Sequence, residues 1–273
     1  MEISVRLETR NDWRKVEELT REAFWGFTSP ACNEHYLVNL IRKSEAYIPE
    51  LCFVAEDEEG ELIGSIVYSR AFIVSGSGEQ TEVITFGPLS VLPSCQKMGV
   101  GSELLLHSIE EAKRLGYRAI VFFGHPDYYV RFGFRNAKAF GITTSEGKNF
   151  DAFMAMPLFE GALDNISGIF KEDEVFDIDD KVPEEYEKTF TLKNPVELTP
   201  IDVLLSKLDQ KLHEEFIKRK MDKLALLNRY SGCEMLEWEG MDEDVLETVN
   251  QTLVEYGFSK KLFPKTRDSF LNK

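Results

Sequence analysis

The sequence predicts an α+β fold in which a mixed, mostly antiparallel sheet precedes a small, mainly helical C-terminal segment. An acidic turn at residues 57–60 joins two apolar, β-branched runs, an arrangement typical of an antiparallel strand pair. Further along, a strand, a glycine-containing loop, a helix and a second strand follow one another, and such a βαβ unit requires a parallel pair. After residue 199 the apolar residues recur at three- and four-residue spacing, which indicates helices.

The length and composition fit a globular protein of two domains. The chain has 273 residues, more than one ordinary domain contains. With 43 % hydrophobic and 29 % charged residues, it is neither wholly disordered nor of low complexity. Its net charge of −16 repels a nucleic-acid backbone, so we expect a cationic or neutral substrate instead.

The cysteines predict reduced thiols and no metal centre. The four lie at least 20 residues apart, with no Cys-x-x-Cys pair, at positions 32, 52, 95 and 233. The N-terminus lacks a basic segment followed by an apolar run, and no stretch approaches the ~18 apolar residues that span a bilayer. We therefore expect a cytoplasmic protein without a membrane segment.

Charge divides the chain into three segments. Residues 1–157 carry a net charge of −6 and hold the predicted sheet, so we expect one folded domain there. Residues 158–194 carry −7, which predicts an acidic, partly ordered linker whose apolar residues either pack as an edge strand or lie along a surface. Residues 195–273 form the predicted helical segment.

The elements of the first segment follow from apolar periodicity. Two helices are predicted before residue 50, one beginning after Asp12 and one at residues 36–41. Strand-like runs then occur at residues 51–56, 62–68, 83–86, 119–123 and 151–157. Between the third and fourth of these runs, a helical pattern ends at Gly116, a typical stop signal.

Two helices are predicted in the C-terminal segment. Thr199 and Pro200 are typical of a helix start, and the apolar stripe that follows predicts one long helix to about Tyr230. A second helix is predicted to begin at Asp242 and to end at Gly257. We expect their apolar stripes to pack on the first domain or on a second subunit, as in a homodimer.

The loop before the third helix carries the pattern Gln-x-x-Gly-x-Gly at residues 96–101. Two glycines let the backbone approach an anion, while the first N–H groups of the helix point toward it. That arrangement suits a pyrophosphate, although such a loop is also common as a simple tight turn. It lacks the third glycine of the dinucleotide-binding fold and the Gly-Lys-Ser/Thr ending of a nucleoside-triphosphate loop, which excludes both.

Two further patterns lie on either side of that helix. The first reads Leu-Ser-Val-Leu-Pro at residues 89–93, just before the glycine loop, and the second reads Tyr-Tyr-Val-Arg-Phe-Gly-Phe at residues 128–134. Over residues 1 to about 157 the chain thereby resembles the GNAT superfamily of acyl-CoA-dependent N-acetyltransferases, whereas the C-terminal segment has no match. The resemblance implies a GNAT-like sheet in which two strands separate after a bulge at Gly87–Pro88.

The resemblance also implies how acetyl-CoA is held. Its pantetheine arm fills the gap between the two strands, and the backbone N–H of Leu89 stabilises the oxyanion that forms when an amine attacks the thioester. Main-chain N–H groups from Lys97 to Ser102 hold the pyrophosphate, and the Lys97 side chain adds positive charge. The cofactor-binding residues implied in this way are Leu89, Ser90, Val91, Gln96, Lys97, Met98, Gly99, Val100, Gly101 and Ser102.

Three side chains join the Leu89 N–H as candidates for catalysis. Tyr129 falls on the family position whose hydroxyl protonates the departing thiolate; its neighbour Tyr128 is the alternative, and simple core packing is the other interpretation. His125 lies where many family members have an asparagine, and it either relays a proton or is an ordinary loop residue. Glu82, at the start of a strand, is either the general base or an exposed strand-end residue.

These features predict an acetyl-CoA-dependent N-acetyltransferase. A primary amine attacks the thioester directly within a ternary complex, and the acidic charge favours a small, cationic acceptor. Neither a nucleic acid nor a membrane is an expected partner. The alternative is a non-catalytic, acyl-CoA-binding regulatory module whose C-terminal segment binds a protein partner.

Overall fold

The structure is a computed structural model, and it describes residues 2–25, 32–178, 182–191, 199–219, 221, 223–230 and 232–256. Within these ranges the strands are β1 (Ser4–Leu7), β2 (Phe53–Glu56), β3 (Leu62–Val74), β4 (Gln80–Val91), β5 (Ala119–Phe123), β6 (Arg135–Asn136), β7 (Ile142–Thr143), β8 (Phe153–Pro157) and β9 (Gly168–Lys171). The helices are α1 (Trp13–Phe24), α2 (Glu34–Ile41), α3 (Val100–Arg114), α4 (Pro126–Tyr129), α5 (Glu184–Glu187), α6 (Asp202–Leu205), α7 (Gln210–Lys218), α8 (Gly232–Met235) and α9 (Glu243–Glu255).

All nine strands of the described residues belong to one mixed sheet. Its main path has the order β1-β2-β3-β4-β5-β8-β6, and β9 pairs with both β3 and β7. Neighbouring strands are antiparallel except β4 with β5 and β7 with β9. The predicted mixed, mostly antiparallel sheet is therefore confirmed, with α3 as the crossover between the parallel strands β4 and β5.

The crossover helix α3 forms where the apolar spacing predicts it. Of the apolar side chains predicted on one face, Leu104, Leu105, Ile109 and Ala112 are buried, whereas Leu115 after the last turn is exposed. Gly99 precedes the helix with a left-handed φ of 94°, a conformation that glycine adopts without steric penalty. The chain leaves the helix through Gly116, as predicted, with a φ of 82°.

The side chains on the two faces of β4 pack in different clusters. On one face, the Tyr68 hydroxyl of β3 is hydrogen-bonded to Ser108 Oγ of α3 at 2.9 Å, and the Phe86 and Phe122 rings lie 4.2 Å apart. On the other face, Val83 packs in a separate cluster with Ala71, Ile73, Val121, Phe153 and Phe170. Because side chains alternate along a strand, Thr85 shares the face of Val83.

The chain divides into two compact units. The first comprises Met1–Thr20, Glu34–Val91 and Gly99–Asp179, and the second comprises Arg21–Asn33, Leu92–Met98 and Asp180–Lys273. Within the first unit, β9 lies inside the predicted acidic linker and pairs with β3, with Phe72 opposite Lys171. Ile169 and Phe170 of that linker therefore lie in a strand, whereas Val175 and Phe176 lie in the 3-10 turn Glu174–Phe176.

In the second unit, the helical character of the C-terminal segment is confirmed, but the predicted long helix to Tyr230 is wrong. Asp209 has an extended backbone, with a ψ of 145°, and its side chain accepts a hydrogen bond from the N–H of Gln210. The chain thus leaves one helix and caps a new one at this point. Asp242 caps α9 as predicted by accepting from the N–H of Val245, whereas the predicted stop at Gly257 lies outside the described residues.

These breaks let the short helices of the C-terminal segment fold onto one another. The side chains at the centre of this packing are Ile201, Leu204, Leu212, Phe216, Met221, Leu224, Leu227, Met235, Trp238, Met241, Leu246, Val249 and Leu253. The apolar stripes therefore bury one another, which corrects the expectation that they need a separate partner surface. Among the described helices, none combines the length and apolar character needed to cross a membrane.

Candidate active site

The parallel strands β4 and β5 pair at one position only. The structure describes every residue of both strands. Ile84 of β4 lies opposite Ile120 of β5, and this is the one pair in register between them. Beyond that pair β4 continues to Val91 and β5 to Phe123 without a further pairing. This gap in the pairing of β4 with β5 is a place where an extended ligand can pair with the open edge of β4.

A bulge lies at the start of this gap. Opposite β3, the pair Tyr68–Phe86 is followed by the pair Ile66–Leu89, so β4 contains one residue more than β3 between the two pairs. The extra residue falls at Gly87–Pro88, which confirms the predicted bulge. The Leu89 side chain therefore returns to the face of Phe86, where its Cδ2 lies 3.9 Å from the position of a Cβ on Gly101.

The opposite face of β4 carries hydroxyl groups. Ser90 Oγ is hydrogen-bonded to Thr20 Oγ1 of α1 at 3.0 Å, and both residues are buried. Thr85 Oγ1 donates to Glu172 Oε1 at 3.4 Å. Since the Ser90 side chain is engaged with α1, this residue offers a ligand its backbone alone. Leu89 and Val91 are partly buried, and the assignment of the Leu89 N–H to an oxyanion stays a prediction.

The glycine loop, which is predicted to bind an anion, enters α3 through left-handed backbone. Lys97 and Gly99 both have left-handed φ angles, 62° and 94°, immediately before α3. The N–H of Ser102 donates to Gly99 O at 2.9 Å, so it is already used within the turn. The first N–H groups of a helix have no partner within it, which leaves those of Val100 and Gly101 for an anion.

The side chains around this loop are mostly exposed. Gln96, Lys97 and Met98 are exposed, and Lys97 Nζ lies 2.6 Å from Glu234 Oε2, both residues belonging to the second unit. The predicted cationic side chain is therefore paired with a carboxylate of the C-terminal segment. Sequence reasoning missed this pair because nothing in the local sequence links two residues so far apart.

Tyr129 lies in an aromatic cluster on the α3 face of the sheet. Its ring is 4.6 Å from Phe122, 5.8 Å from Phe86 and 5.9 Å from Phe134, measured between centroids. A Cβ on Gly124 would lie 2.5 Å from the Tyr129 ring, so the turn between β5 and α4 requires glycine. Burial, and then the neighbouring Tyr128, raise the pKa of Tyr129 well above its usual value, which keeps its hydroxyl protonated.

Tyr128 points to a different place. Its hydroxyl lies beside Gly101 at the start of α3, and the guanidinium of Arg131 lies 4.4 Å from its ring centroid. Arg131 also donates to Ser102 Oγ at 3.0 Å. Arg131 is thus a cation beside the first turn of α3 that sequence reasoning missed, although it lies inside the tyrosine motif itself.

The other two catalytic candidates are exposed. The side chain of His125 is 77 % exposed, with its Nδ1 3.7 Å from Asp127 Oδ2. Glu82 is 49 % exposed and lies 4.0 Å from Arg70. Glu82 precedes Leu89 by seven residues on β4, roughly 23 Å along an extended strand, which disfavours contact with the same substrate atom. Their catalytic roles stay predictions. Among the described residues, no group of three or more His, Cys, Asp or Glu side chains is arranged to hold a metal.

Comparison with known proteins assigns this arrangement to a family. Residues 13–134 match the acetyltransferase (GNAT) family. The uncharacterized N-acetyltransferase YhbS of Escherichia coli is 28 % identical over 172 residues, which cover 63 % of this chain and 97 % of YhbS. The uncharacterized N-acetyltransferase YjhQ of the same species is 32 % identical over 125 residues, 46 % of this chain and 65 % of YjhQ.

Solved structures give the same result. The crystal structure of YhbS in complex with CoA superimposes with a TM-score of 0.58 at 26 % identity, covering 65 % of this chain and 93 % of that one. A GNAT-family acetyltransferase from Brucella melitensis, in complex with acetyl-CoA, gives a TM-score of 0.51 at 25 % identity over 64 % of this chain and 98 % of that one. The chain therefore carries a GNAT-type acetyltransferase domain at residues 13–134.

Proposed function

We propose that this acyltransferase moves an acetyl group from acetyl-CoA to the primary amine of a small, cationic molecule. The observation that carries the proposal is the gap in the pairing of β4 with β5, which follows Ile84 and contains the bulge at Gly87–Pro88. An extended pantetheine arm has the shape of the missing strand. The CoA and acetyl-CoA held by the two similar structures support this choice of donor.

The anion-binding turn completes the donor site in this proposal. The pyrophosphate accepts hydrogen bonds from the N–H groups of Val100 and Gly101, where the dipole of α3 favours negative charge. Arg131 adds a positive charge beside the same turn. Nucleoside triphosphates and NAD lack the pantetheine arm, so we expect neither to bind here.

The chemistry is direct transfer in a ternary complex. The amine nitrogen attacks the thioester carbon, and the N–H of Leu89 stabilises the oxyanion. When the carbon–sulfur bond breaks, the Tyr129 hydroxyl donates its proton to the thiolate, and the proton lost from the amide nitrogen restores the phenol. Because the Tyr129 pKa is raised, the donor proton is present throughout the working pH range.

The acceptor class follows from charge. The chain carries 48 acidic and 32 basic side chains, a balance that attracts cations. A polyamine or an aminoglycoside combines positive charge with several primary amines. A non-catalytic, acyl-CoA-binding regulator is the alternative, and catalytic turnover separates the two.

A binding measurement and an amine screen test the proposal. Acetyl-CoA at about 100 times its dissociation constant raises the unfolding free energy by about 2.7 kcal/mol, so we expect a clear rise in melting temperature, with NAD and ATP as inactive controls. A panel that includes spermidine, tobramycin and lysine is then scored by thiol release from acetyl-CoA. The absence of any melting shift contradicts the donor assignment, and a shift without amine-dependent thiol release supports the regulatory alternative.

A further inference from the structure

A partly buried carboxylate lies beside β4 on the face away from the tyrosines. Glu172 follows β9, and its Oε1 accepts the hydrogen bond from Thr85 Oγ1. Thr85 is fully buried and lies between Ile84, the last residue paired with β5, and the bulge at Gly87–Pro88. Glu172 therefore reaches the strand at the point where the proposed donor site opens.

The backbone on both sides of Glu172 is anchored. Before it, β9 pairs with β3, and after it Asp173 accepts a hydrogen bond from Ser44 Oγ at 2.9 Å and from the N–H of Val175 at 3.1 Å. Asp173 thereby caps the 3-10 turn Glu174–Phe176. That turn brings Phe176 Cε1 to 3.7 Å from the position of a Cβ on Gly87. The carboxylate is thus held in place next to the bulge by structure on both sides.

Glu172 has no counter-ion among the described residues. In the part of the chain that the structure describes, no Lys, Arg or His side chain forms an ion pair with it. Burial raises its pKa, the hydrogen bond from Thr85 lowers it and the negative charge of Asp177 raises it, which together bring the pKa to about 7. A carboxyl group with a pKa near neutrality exchanges a proton readily at physiological pH.

We propose that Glu172 accepts the proton that converts the ammonium group of the acceptor into the attacking amine. The proposal rests on the proposed function and assigns its general base to a residue outside the matched region 13–134. A substrate cation supplies the charge partner that the described residues do not. The two proton-transfer groups then act on opposite faces of one strand, with Glu172 beside Thr85 and Tyr129 beside Phe86.

The protons balance. Glu172 takes one proton from the ammonium, directly or through one water, and releases it to solvent after turnover. The free amine forms the nitrogen–carbon bond as the carbon–sulfur bond breaks. The second proton leaves the nitrogen and restores Tyr129, which has protonated the thiolate. The net products are the acetylated amine, CoA thiol and one proton.

The variant Glu172→Gln tests this role, with Glu174→Gln as its control. Glu174 lies two residues away in the 3-10 turn and is exposed. With the panel amine that turns over fastest, wild-type kcat/KM should level off above about pH 7. Glu172→Gln should lose about 10²-fold at pH 7 and recover as the pH approaches the pKa of the amine, because solution then supplies free amine. Acetyl-CoA affinity should stay within about twofold in both variants.

A second variant, Thr85→Val, gives an independent readout. It removes the hydrogen bond that lowers the pKa of Glu172. In the plot of kcat/KM against pH, the acidic limb of this variant should therefore lie at higher pH than that of the wild type. Unchanged profiles in both variants, or a loss in Glu172→Gln that is equal at every pH, would overturn the role of Glu172 while leaving the proposed function intact. A wild-type protein that releases no thiol with any amine instead removes the proposed function, and the role of Glu172 with it.

Discussion

The hydroxyl oxygen of Tyr128 lies 2.8 Å from the point that a Cβ of Gly101 would occupy. The glycine loop and the tyrosine motif, separate in the sequence, therefore meet at the first turn of α3. Val91 Cγ2 lies 3.5 Å from the same point, so the end of β4 also contributes. Glycine at position 101 is needed for this close approach as well as for access to the N–H groups of the turn.

Gly101→Ala should weaken acetyl-CoA binding by about twofold to tenfold. The added methyl group displaces the Tyr128 hydroxyl from a favourable rotamer, which costs about 0.5–1.5 kcal/mol. Isothermal titration calorimetry with acetyl-CoA measures the change. The double variant Gly101→Ala/Tyr128→Phe is the control, because the phenyl ring lacks the crowded oxygen and should restore much of the affinity. Equal affinity of wild type and Gly101→Ala contradicts the contact.

Local signals explain which parts of the site the sequence could predict. Gly87, Pro88 and the loop glycines act through their own backbone conformations, so the bulge and the turn are readable from a few adjacent residues. The helix break at Asp209 was missed, because the apolar stripe continues across it. The proposed role of Glu172 could not be predicted from the sequence. It depends on contact with Thr85, 87 residues earlier, and on the pairing of β9 with β3.

Tyr129→Phe should keep acetyl-CoA affinity and lower kcat by about 10²–10⁴-fold if proton transfer to the thiolate limits turnover. The substitution removes only the hydroxyl from a side chain that its ring packing holds in place. Because burial raises the pKa of Tyr129, wild-type kcat should show no loss from ionisation of this group up to about pH 10. Stopped-assay thiol release over this pH range measures both effects.

Tyr128→Phe serves as the matched control, since the two tyrosines are adjacent but their hydroxyls lie in different surroundings. We expect it to change kcat by no more than a few fold. If Tyr128→Phe loses turnover while Tyr129→Phe keeps it, Tyr128 is the acid. Full activity of both variants means that solvent protonates the thiolate.

Glu172→Gln should stabilise the fold at high pH. The pKa of Glu172 is raised from 4.5 to about 7 in the folded state, so ionisation opposes folding as the pH rises between these values. In the wild type, the protonated Glu172 makes its full contribution to the free energy of unfolding below pH 4.5, and this contribution is lost above about pH 7. Glutamine does not ionise, so the variant shows no such loss. Urea unfolding at pH 5 and pH 8 should show the variant gaining up to about 3 kcal/mol over the wild type at the higher pH. An identical difference at both pH values contradicts the raised pKa.

The ion pair between Lys97 and Glu234 should weaken the affinity for acetyl-CoA. Both side chains are about half exposed, so the pair is worth at most about 1 kcal/mol, and Glu234→Gln should tighten binding by up to about fivefold. Because the effect is the attraction of an exposed lysine for phosphate, 1 M salt should abolish it. Glu237→Gln, an exposed carboxylate three residues further on, is the control and should change nothing. If Glu234→Gln instead binds acetyl-CoA more weakly than the wild type, Glu234 orients the Lys97 side chain toward acetyl-CoA and does not compete with the phosphate for it.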